Sequence, residues 1–128
     1  MIRVIVVDDN VLAREVASRL LQAATDVRVV GSFDDGTEAV RFLAREAVDV
    51  AVLDIAIRGG SGIDVARRMR AVSPKTQLLM LAKETGPQHV RQAFWAGAAG
   101  YMLKELAGGE VVAAVRALHA GQRYSPAT

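Results

Sequence analysis

The chain contains no cysteine, which excludes thiol nucleophiles, Cys-ligated zinc and disulfide stapling, and fits a reducing compartment. Only three of its 128 residues are proline and only 5% are aromatic, so its core has to be built from aliphatic side chains. No apolar run approaches the ~18–20 residues that span a bilayer. Met1-Ile2-Arg3 leads into a strand-like run rather than a signal peptide with a small-residue cleavage site. The expected location is therefore cytoplasmic, with no membrane partner. An excess of one charge is lacking as well: 16 Lys and Arg stand against 14 Asp and Glu, for a net +2, and the arginines are dispersed. Such a balance gives this segment no basic patch for nucleic acid.

What is present is 52% hydrophobic residues in a length that suits one globular domain. A chain of this size buries roughly 65–70% of the surface its unfolded form exposes, so it stands without a disulfide or structural metal. Five short apolar runs recur, at Val4–Val7, Val27–Val30, Val50–Leu53, Leu78–Leu81 and Ala98–Leu103. Each is apolar at both alternating positions, the pattern of parallel strands covered on both faces. Between them lie helical stretches. In the first, Ala13, Val16, Ala17, Leu20 and Leu21 fall on one stripe at helical spacing, with Asn10 as N-cap. Others run over Gly36–Glu46, Gly62–Val72, Gln88–Ala96 and Gly109–Ala120. Five βα units predict an open α/β sheet with helices on both faces, since parallel neighbours need right-handed crossovers. Five units are too few for an eight-stranded barrel.

In open α/β sheets ligands sit outside the carboxyl ends of the strands. The first strand there ends in Asp8-Asp9, the third in Asp54, the fourth in Ala82-Lys83 and the fifth in Lys104. Taken singly, each has a bland explanation as a turn residue or solvated cap. Together they put three carboxylates and an ammonium on one rim. Carboxylates 4 Å apart repel by ~4 kcal/mol per pair at an effective dielectric of about 20, so the cluster needs a cation. Oxygen-only ligands select a hard ion, and Mg²⁺ held by one or two carboxylates completes its shell with phosphate oxygens. Phosphoryl chemistry follows, with Lys104 as a second positive charge on the transferred group.

These motifs resemble the response-regulator receiver domain over residues 1–122, of the type that precedes a LuxR-type helix-turn-helix in NarL and FixJ relatives. Val4-Ile5-Val6-Val7-Asp8-Asp9 resembles the family's acidic pair, Val52-Leu53-Asp54-Ile55 its phosphoacceptor strand, and Gly97 to Lys104 its fifth strand with the lysine. The resemblance implies a flavodoxin-like (βα)₅ three-layer sandwich of strand order 2-1-3-4-5. It implies that Asp54 takes a phosphoryl group from a sensor histidine kinase, with Mg²⁺ held by Asp9, Asp54 and the Ala56 carbonyl, and Asp8 assisting through water. Lys104 then pairs with the phosphoryl group, in a signalling domain rather than an enzyme. It further implies a switch in which a hydroxyl ending the fourth strand is coupled to an aromatic in the fifth, here Tyr101.

The chain departs from that pattern in two places. The hydroxyl position falls on Ala82, followed by Lys83, and Thr85 lies three residues too far along. A hydrogen bond to a charged oxygen is worth ~1.5–3 kcal/mol, so its loss weakens the switch. After Asp54 the usual Met-Pro is replaced by Ile57-Arg58, ahead of Gly59-Gly60-Ser61-Gly62, which leaves this loop without the constraint of proline. Arg58 and Lys83 bring positive charge to the mouth. These departures support an alternative: a receiver-like interaction module whose switching is independent of phosphate. A Mg²⁺-dependent phosphatase with an aspartyl nucleophile is disfavoured, because the first strand lacks an Asp-x-Asp.

On the fourth helix, Val90, Ala93, Phe94 and Gly97 are expected to face the core, which turns Trp95 outward with Gln88, Arg91 and Gln92. Exposed Trp and Arg are common interface anchors. Arg91 and Trp95 thus mark a partner surface on the fourth helix, fifth strand and fifth helix, suited to a homodimer. His89 and His119 have no companions for a metal and read as surface residues. Residues 123–128 read as a tail or the start of a linker. DNA would be reached only through an output domain absent from this chain.

Overall fold

Val, Ile and Leu at consecutive positions give strands two apolar faces, and the computed structural model shows both faces in use. It describes residues 1–57, 61–83 and 86–125. In chain order the elements are β1 (Ile2–Val7), α1 (Val11–Ala23), β2 (Val27–Phe33), α2 (Gly36–Arg45), β3 (Val50–Asp54), α3 (Gly62–Val72), β4 (Gln77–Ala82), α4 (Pro87–Trp95), β5 (Gly100–Leu103), a 3-10 turn (Lys104–Leu106) and α5 (Ala107–His119). The strands form one sheet of order β2-β1-β3-β4-β5, parallel at every pairing. This is the flavodoxin-like strand order 2-1-3-4-5 that the sequence led one to expect.

The alternation along each strand divides the core in two. Ile5, Val7, Ala51, Leu53, Leu78, Met80 and Tyr101 face one side, against Ala39 and Leu43 of α2, Val65 and Met69 of α3, and Ala93 of α4. Val4, Val6, Val50, Val52, Leu79, Leu81 and Met102 face the other, against Ala17 and Leu21 of α1 and Val111, Ala114, Val115 and Leu118 of α5. Full burial of each such side chain contributes about 1.5–3 kcal/mol.

Two expectations are corrected. β2 is covered on both faces only in part: Val29 packs in one layer and Val30 and Phe33 in the other, but at the edge of the sheet only Val27 is fully buried. It also runs three residues further, through Gly31-Ser32-Phe33, after a register shift opposite Val4 and Ile5. On α1 the buried residues are Ala17 and Leu21, whereas Val16 is exposed, because α1 packs at the β2 and α5 margin of its layer and leaves one flank of its apolar stripe uncovered.

Helix starts follow local chemistry. Asn10 caps α1 by accepting from the Ala13 N–H at 2.9 Å, Asp35 caps α2 through the Thr37 N–H, and Ser61 caps α3 through the Asp64 N–H. α4 has no side-chain cap; it opens with Pro87, a residue suited to the first helical turn. Among the described residues no helix is long and apolar enough to cross a membrane.

Candidate functional site

The carboxyl ends of β1, β3 and β5 deliver four side chains to one point. β1 ends just before Asp8 and β3 ends in Asp54, both buried although ionisable. Asp9 is half-buried beside them. A carboxylate oxygen from each of Asp8, Asp9 and Asp54 lies within 4.8 Å of the others. Lys104, at the end of β5, crosses over β4 to reach both buried acids. Its Nζ lies 2.8 Å from Asp54 Oδ2, and 3.0 and 3.2 Å from the two Asp8 oxygens.

The local backbone fixes these positions. Asp8 Oδ1 accepts from the Asn10 N–H at 2.9 Å, and the Asp8 carbonyl accepts from Arg14 at 2.8 Å. Asp54 Oδ1 accepts from the Ala56 N–H at 3.2 Å, which turns the chain directly after β3. That turn closes through Gly62, whose N–H donates to the Ile55 carbonyl at 2.8 Å. Gly62 has to be glycine here: a Cβ would come within 2.4–2.7 Å of the Ile55 backbone.

Electrostatics follow from burial. Burial raises the Asp54 carboxyl above its ordinary pKa; the hydrogen bond from Lys104 pulls it down, and the Asp8 charge pushes it up again. For Lys104 burial acts downward, but the hydrogen bonds to Asp54 and Asp8 outweigh it and leave the ammonium above its ordinary value. One lysine against three carboxylates leaves the cluster acidic. Its donors are all oxygens, a set that fits a hard divalent cation and excludes a thiolate- or imidazole-preferring one.

Two clefts open beside this cluster. One, of about 390 Å³, runs between α1 and the start of α5, lined by Leu12, Ala13, Val16, Leu81, Lys104 and Ala107 among others. Its surroundings carry the exposed apolar side chains Val11, Leu12, Val16 and Leu106, with Leu12 at 72% exposure. The other, of about 230 Å³, lies on the opposite side of Asp54 and is lined by Asp54, Ile55, Ala56, Ala82, Lys83, His89 and Tyr101.

The structure therefore brings together Asp8, Asp9, Asp54 and Lys104, with Ala56 adjoining and Ala82 and Tyr101 in the second cleft. Tyr101 is 1% exposed and packed in the α2–α4 layer. Arg91 and Trp95 lie apart from the cluster, exposed on α4, Trp95 at 83%. Arg58 and Thr85 lie outside the described residues. His89 corrects the surface expectation: it is half-buried and lines the second cleft with Asp54, because α4 lies against β5 and turns its first residues toward that cleft. Sequence reasoning also missed the α1–α5 groove. The signal was available in Val11-Leu12, two apolar residues directly after the Asn10 cap.

A parallel five-stranded sheet thus carries three acids and a lysine at its carboxyl rim. Comparison with known proteins gives the family. Residues 4–116 match the response regulator receiver domain, and the chain belongs to that family. It is 36% identical over 124 residues to the response regulator UvrY of Escherichia coli K12, covering 97% of this chain and 57% of UvrY. Against the signal receiver domain of NarL from Mycobacterium tuberculosis the TM-score is 0.88 at 37% identity, covering 94% of this chain and 98% of that one. A two-component response regulator of the LuxR family from Aurantimonas sp. SI85-9A1 gives a TM-score of 0.89 at 32% identity, covering 95% and 87%. The chain spans little more than half the length of UvrY. It is thus a receiver domain of two-component response regulators of the NarL and LuxR kind.

Proposed function

We propose that Asp54 is the phosphoacceptor of this receiver domain, taking its phosphoryl group from a histidine kinase with the help of Mg²⁺. The observation that carries this reading is the buried carboxylate of Asp54 held at 2.8 Å from Lys104 and within 4.8 Å of Asp8 and Asp9 oxygens. An Asp54 oxygen attacks the phosphorus of a phosphohistidine; the P–N bond breaks, the imidazole leaves with a proton, and an acyl phosphate remains. Asp9, Asp54 and the Ala56 carbonyl would hold the metal, with Asp8 assisting through water. The metal supplies charge neutralisation of the phosphoryl oxygens. Lys104 pairs with one of those oxygens and keeps the product oriented.

The exposed apolar side chains around the α1–α5 groove support a protein as the donor, since patches of this kind mark protein contacts. Arg91 and Trp95 on α4 support a second surface, for a homodimer formed through α4, β5 and α5. The added charge of about −1.5 to −2 would bias that surface. Residues 1–122 form the receiver on this reading, Arg123 and Tyr124 still pack on it, and the chain leads on into a linker to an output domain that controls transcription and contacts DNA. The site of action is the cytoplasm.

Intact mass after incubation with Mg²⁺ and a small phosphodonor tests the proposal. Wild type is expected to gain one phosphoryl group and Asp54→Asn none; an undiminished adduct in Asp54→Asn would overturn it. A second reading has its own observation, the apolar Ala82 where a hydroxyl would ordinarily serve the switch. On that reading the domain signals through contacts that do not depend on phosphate, and its oligomeric state would be the same with and without beryllofluoride.

A further inference from the structure

A phosphoryl group carries three acceptor oxygens. On the reading above, Lys104 pairs with one of them and the metal neutralises charge beside it. Lys104 lines the α1–α5 cleft and not the cleft on the β4 side of Asp54, so an oxygen turned into that second space needs a donor of its own. The side chains lining it give few candidates. Ile55, Ala56 and Ala82 are apolar, and the Ala56 N–H is already held by Asp54 Oδ1. His89 and Tyr101 are engaged in interactions of their own. Lys83 remains. It follows Ala82, the last residue of β4, and is exposed. Its ammonium takes no part in the ion pairs formed among the described residues.

We infer that Lys83 is a phosphoryl-binding residue: its ammonium swings into this cleft and pairs with an oxygen of the group on Asp54, where Ala82 supplies no hydroxyl. The inference rests on the phosphoacceptor reading of Asp54. Three physical points carry it. Leu81 is the partner of Asp54 in the β3–β4 ladder, and neighbouring strands lie about 4.8 Å apart, so Lys83, two residues on, starts within reach of Asp54 for a four-carbon stem. The unmodified carboxylate already has Lys104 at 2.8 Å, which leaves little to draw a second cation. Phosphorylation adds a charge of about −1.5 to −2 and changes that balance. Lys83 therefore answers the product of transfer and not the acceptor. Because its flexible stem loses rotamer freedom when fixed, the contact is weaker than one from a preorganised donor, and more easily screened by salt.

The test measures beryllofluoride affinity with Mg²⁺ by calorimetry, and the rate at which an acetylating reagent modifies Lys83, read by peptide mass. Lys75, exposed just before β4 at the strand's other end, is the internal reference. The proteins are wild type, Lys83→Gln, Lys83→Arg, Lys75→Gln, Ala82→Thr and the Ala82→Thr/Lys83→Gln double variant. A charge-assisted hydrogen bond predicts a roughly tenfold loss of beryllofluoride affinity in Lys83→Gln. That loss should shrink as salt is raised toward about 1 M. Lys83→Arg should keep most of the affinity and Lys75→Gln all of it. In the Ala82→Thr background, where β4 supplies a hydroxyl, removing the Lys83 charge should cost less. Beryllofluoride should slow acetylation of Lys83 and leave that of Lys75 unchanged. Unchanged affinity in Lys83→Gln overturns the inference, as does acetylation of Lys83 at the same rate with and without beryllofluoride. Equal losses in Lys83→Gln and Lys75→Gln overturn it too, since they report the net charge of the domain and no contact. Failure of wild type to take either a phosphoryl group or beryllofluoride would sink the Asp54 reading itself, and is distinguishable because it precedes any change at Lys83.

Discussion

The two flanks of Asp54 are built on different principles. Toward β1 and β5 the carboxylate meets Lys104 at 2.8 Å, with Asp8 on the same ammonium and Asp9 beside it. Asp8 and Asp54 share that ammonium, and both buried acids are held by backbone donors at Asn10 and Ala56. Toward β4 and α4 the same carboxylate faces a cleft of about 230 Å³ walled by Ala82, Tyr101 and His89. The first flank is a tight electrostatic arrangement that exists before any ligand arrives. The second leaves open space beside the carboxylate. On the phosphoacceptor reading proposed above, preorganised charge would suit the transfer step and open volume a response to its product.

The largest effect that separates the flanks should come from their lysines. Lys104→Met leaves two buried carboxylates facing each other without a cation, and breaking a buried pair of this kind costs about 3 kcal/mol or more. Lys83→Met removes an exposed charge and should change stability by less than about 0.5 kcal/mol. Urea denaturation at neutral pH without divalent ions reads both. Equal midpoints in the two variants would break the comparison, because the closed flank would then owe nothing to its ammonium.

A second substitution sharpens it by disturbing the floor beneath both flanks. In Gly62→Ala the new Cβ meets the Ile55 carbonyl oxygen at 2.4 Å and its Cα at 2.5 Å, backbone atoms that cannot swing aside. The turn that carries the Ala56 N–H to Asp54 must move. Overpacking typically costs 1–3 kcal/mol, so a loss of about 2 kcal/mol is expected in thermal or urea unfolding. A weakened phosphoryl adduct should accompany it, since Ala56 would be displaced. Gly108 provides the contrast. A Cβ there meets nothing within 4 Å, and Gly108→Ala in the first turn of α5 should be neutral or stabilising.

The same division explains what could be read from the sequence. The closed flank is made of charged residues directly at the ends of apolar runs, and a charge that ends a run is visible without coordinates. The interior strands β1, β3 and β4 were legible to within two residues at either end for the same reason. β2 was not: Gly31 and Ser32 break its apolar run, and its edge position lets it extend on hydrogen bonds alone. α1 misled in the opposite direction, since helical spacing identifies a stripe but not how much of it finds a cover. The open flank was legible through the missing hydroxyl at Ala82, through Lys83 after it and, by the resemblance, through Tyr101, all of which line it. His89 lies seven residues further on, and only the seating of α4 beside β5 brings it to the cleft that Asp54 also lines. A lone histidine has no periodic signal, so nothing in the sequence joined it to the site.

The smallest expected effect concerns the outer support of the open flank. Tyr101, part of its wall, has its backbone N–H bound by the Tyr124 carbonyl at 2.8 Å, while the Tyr124 N–H donates to Ala99 at 3.1 Å. The Tyr124 hydroxyl donates to Glu110 of α5, and the Arg123 guanidinium lies 5.1 Å from the centre of the Phe94 ring of α4. Packing thus continues past residue 122 and seals the β5 edge behind Tyr101. The hydrogen bond to Glu110, helped by burial, pushes the Tyr124 phenol up to about 12 from an ordinary 10. A raised folded-state pKa means that the neutral form is favoured by folding. Its contribution is fully present below pH 10 and is lost as pH rises toward 12. Wild type should therefore lose stability over that window more steeply than Tyr124→Phe, whose titration is gone and which should be slightly less stable at neutral pH. Urea midpoints at pH 8, 10 and 11.5 measure the difference. Parallel profiles would mean that the tail does not brace β5, and that Tyr101 is held from the α4 side alone.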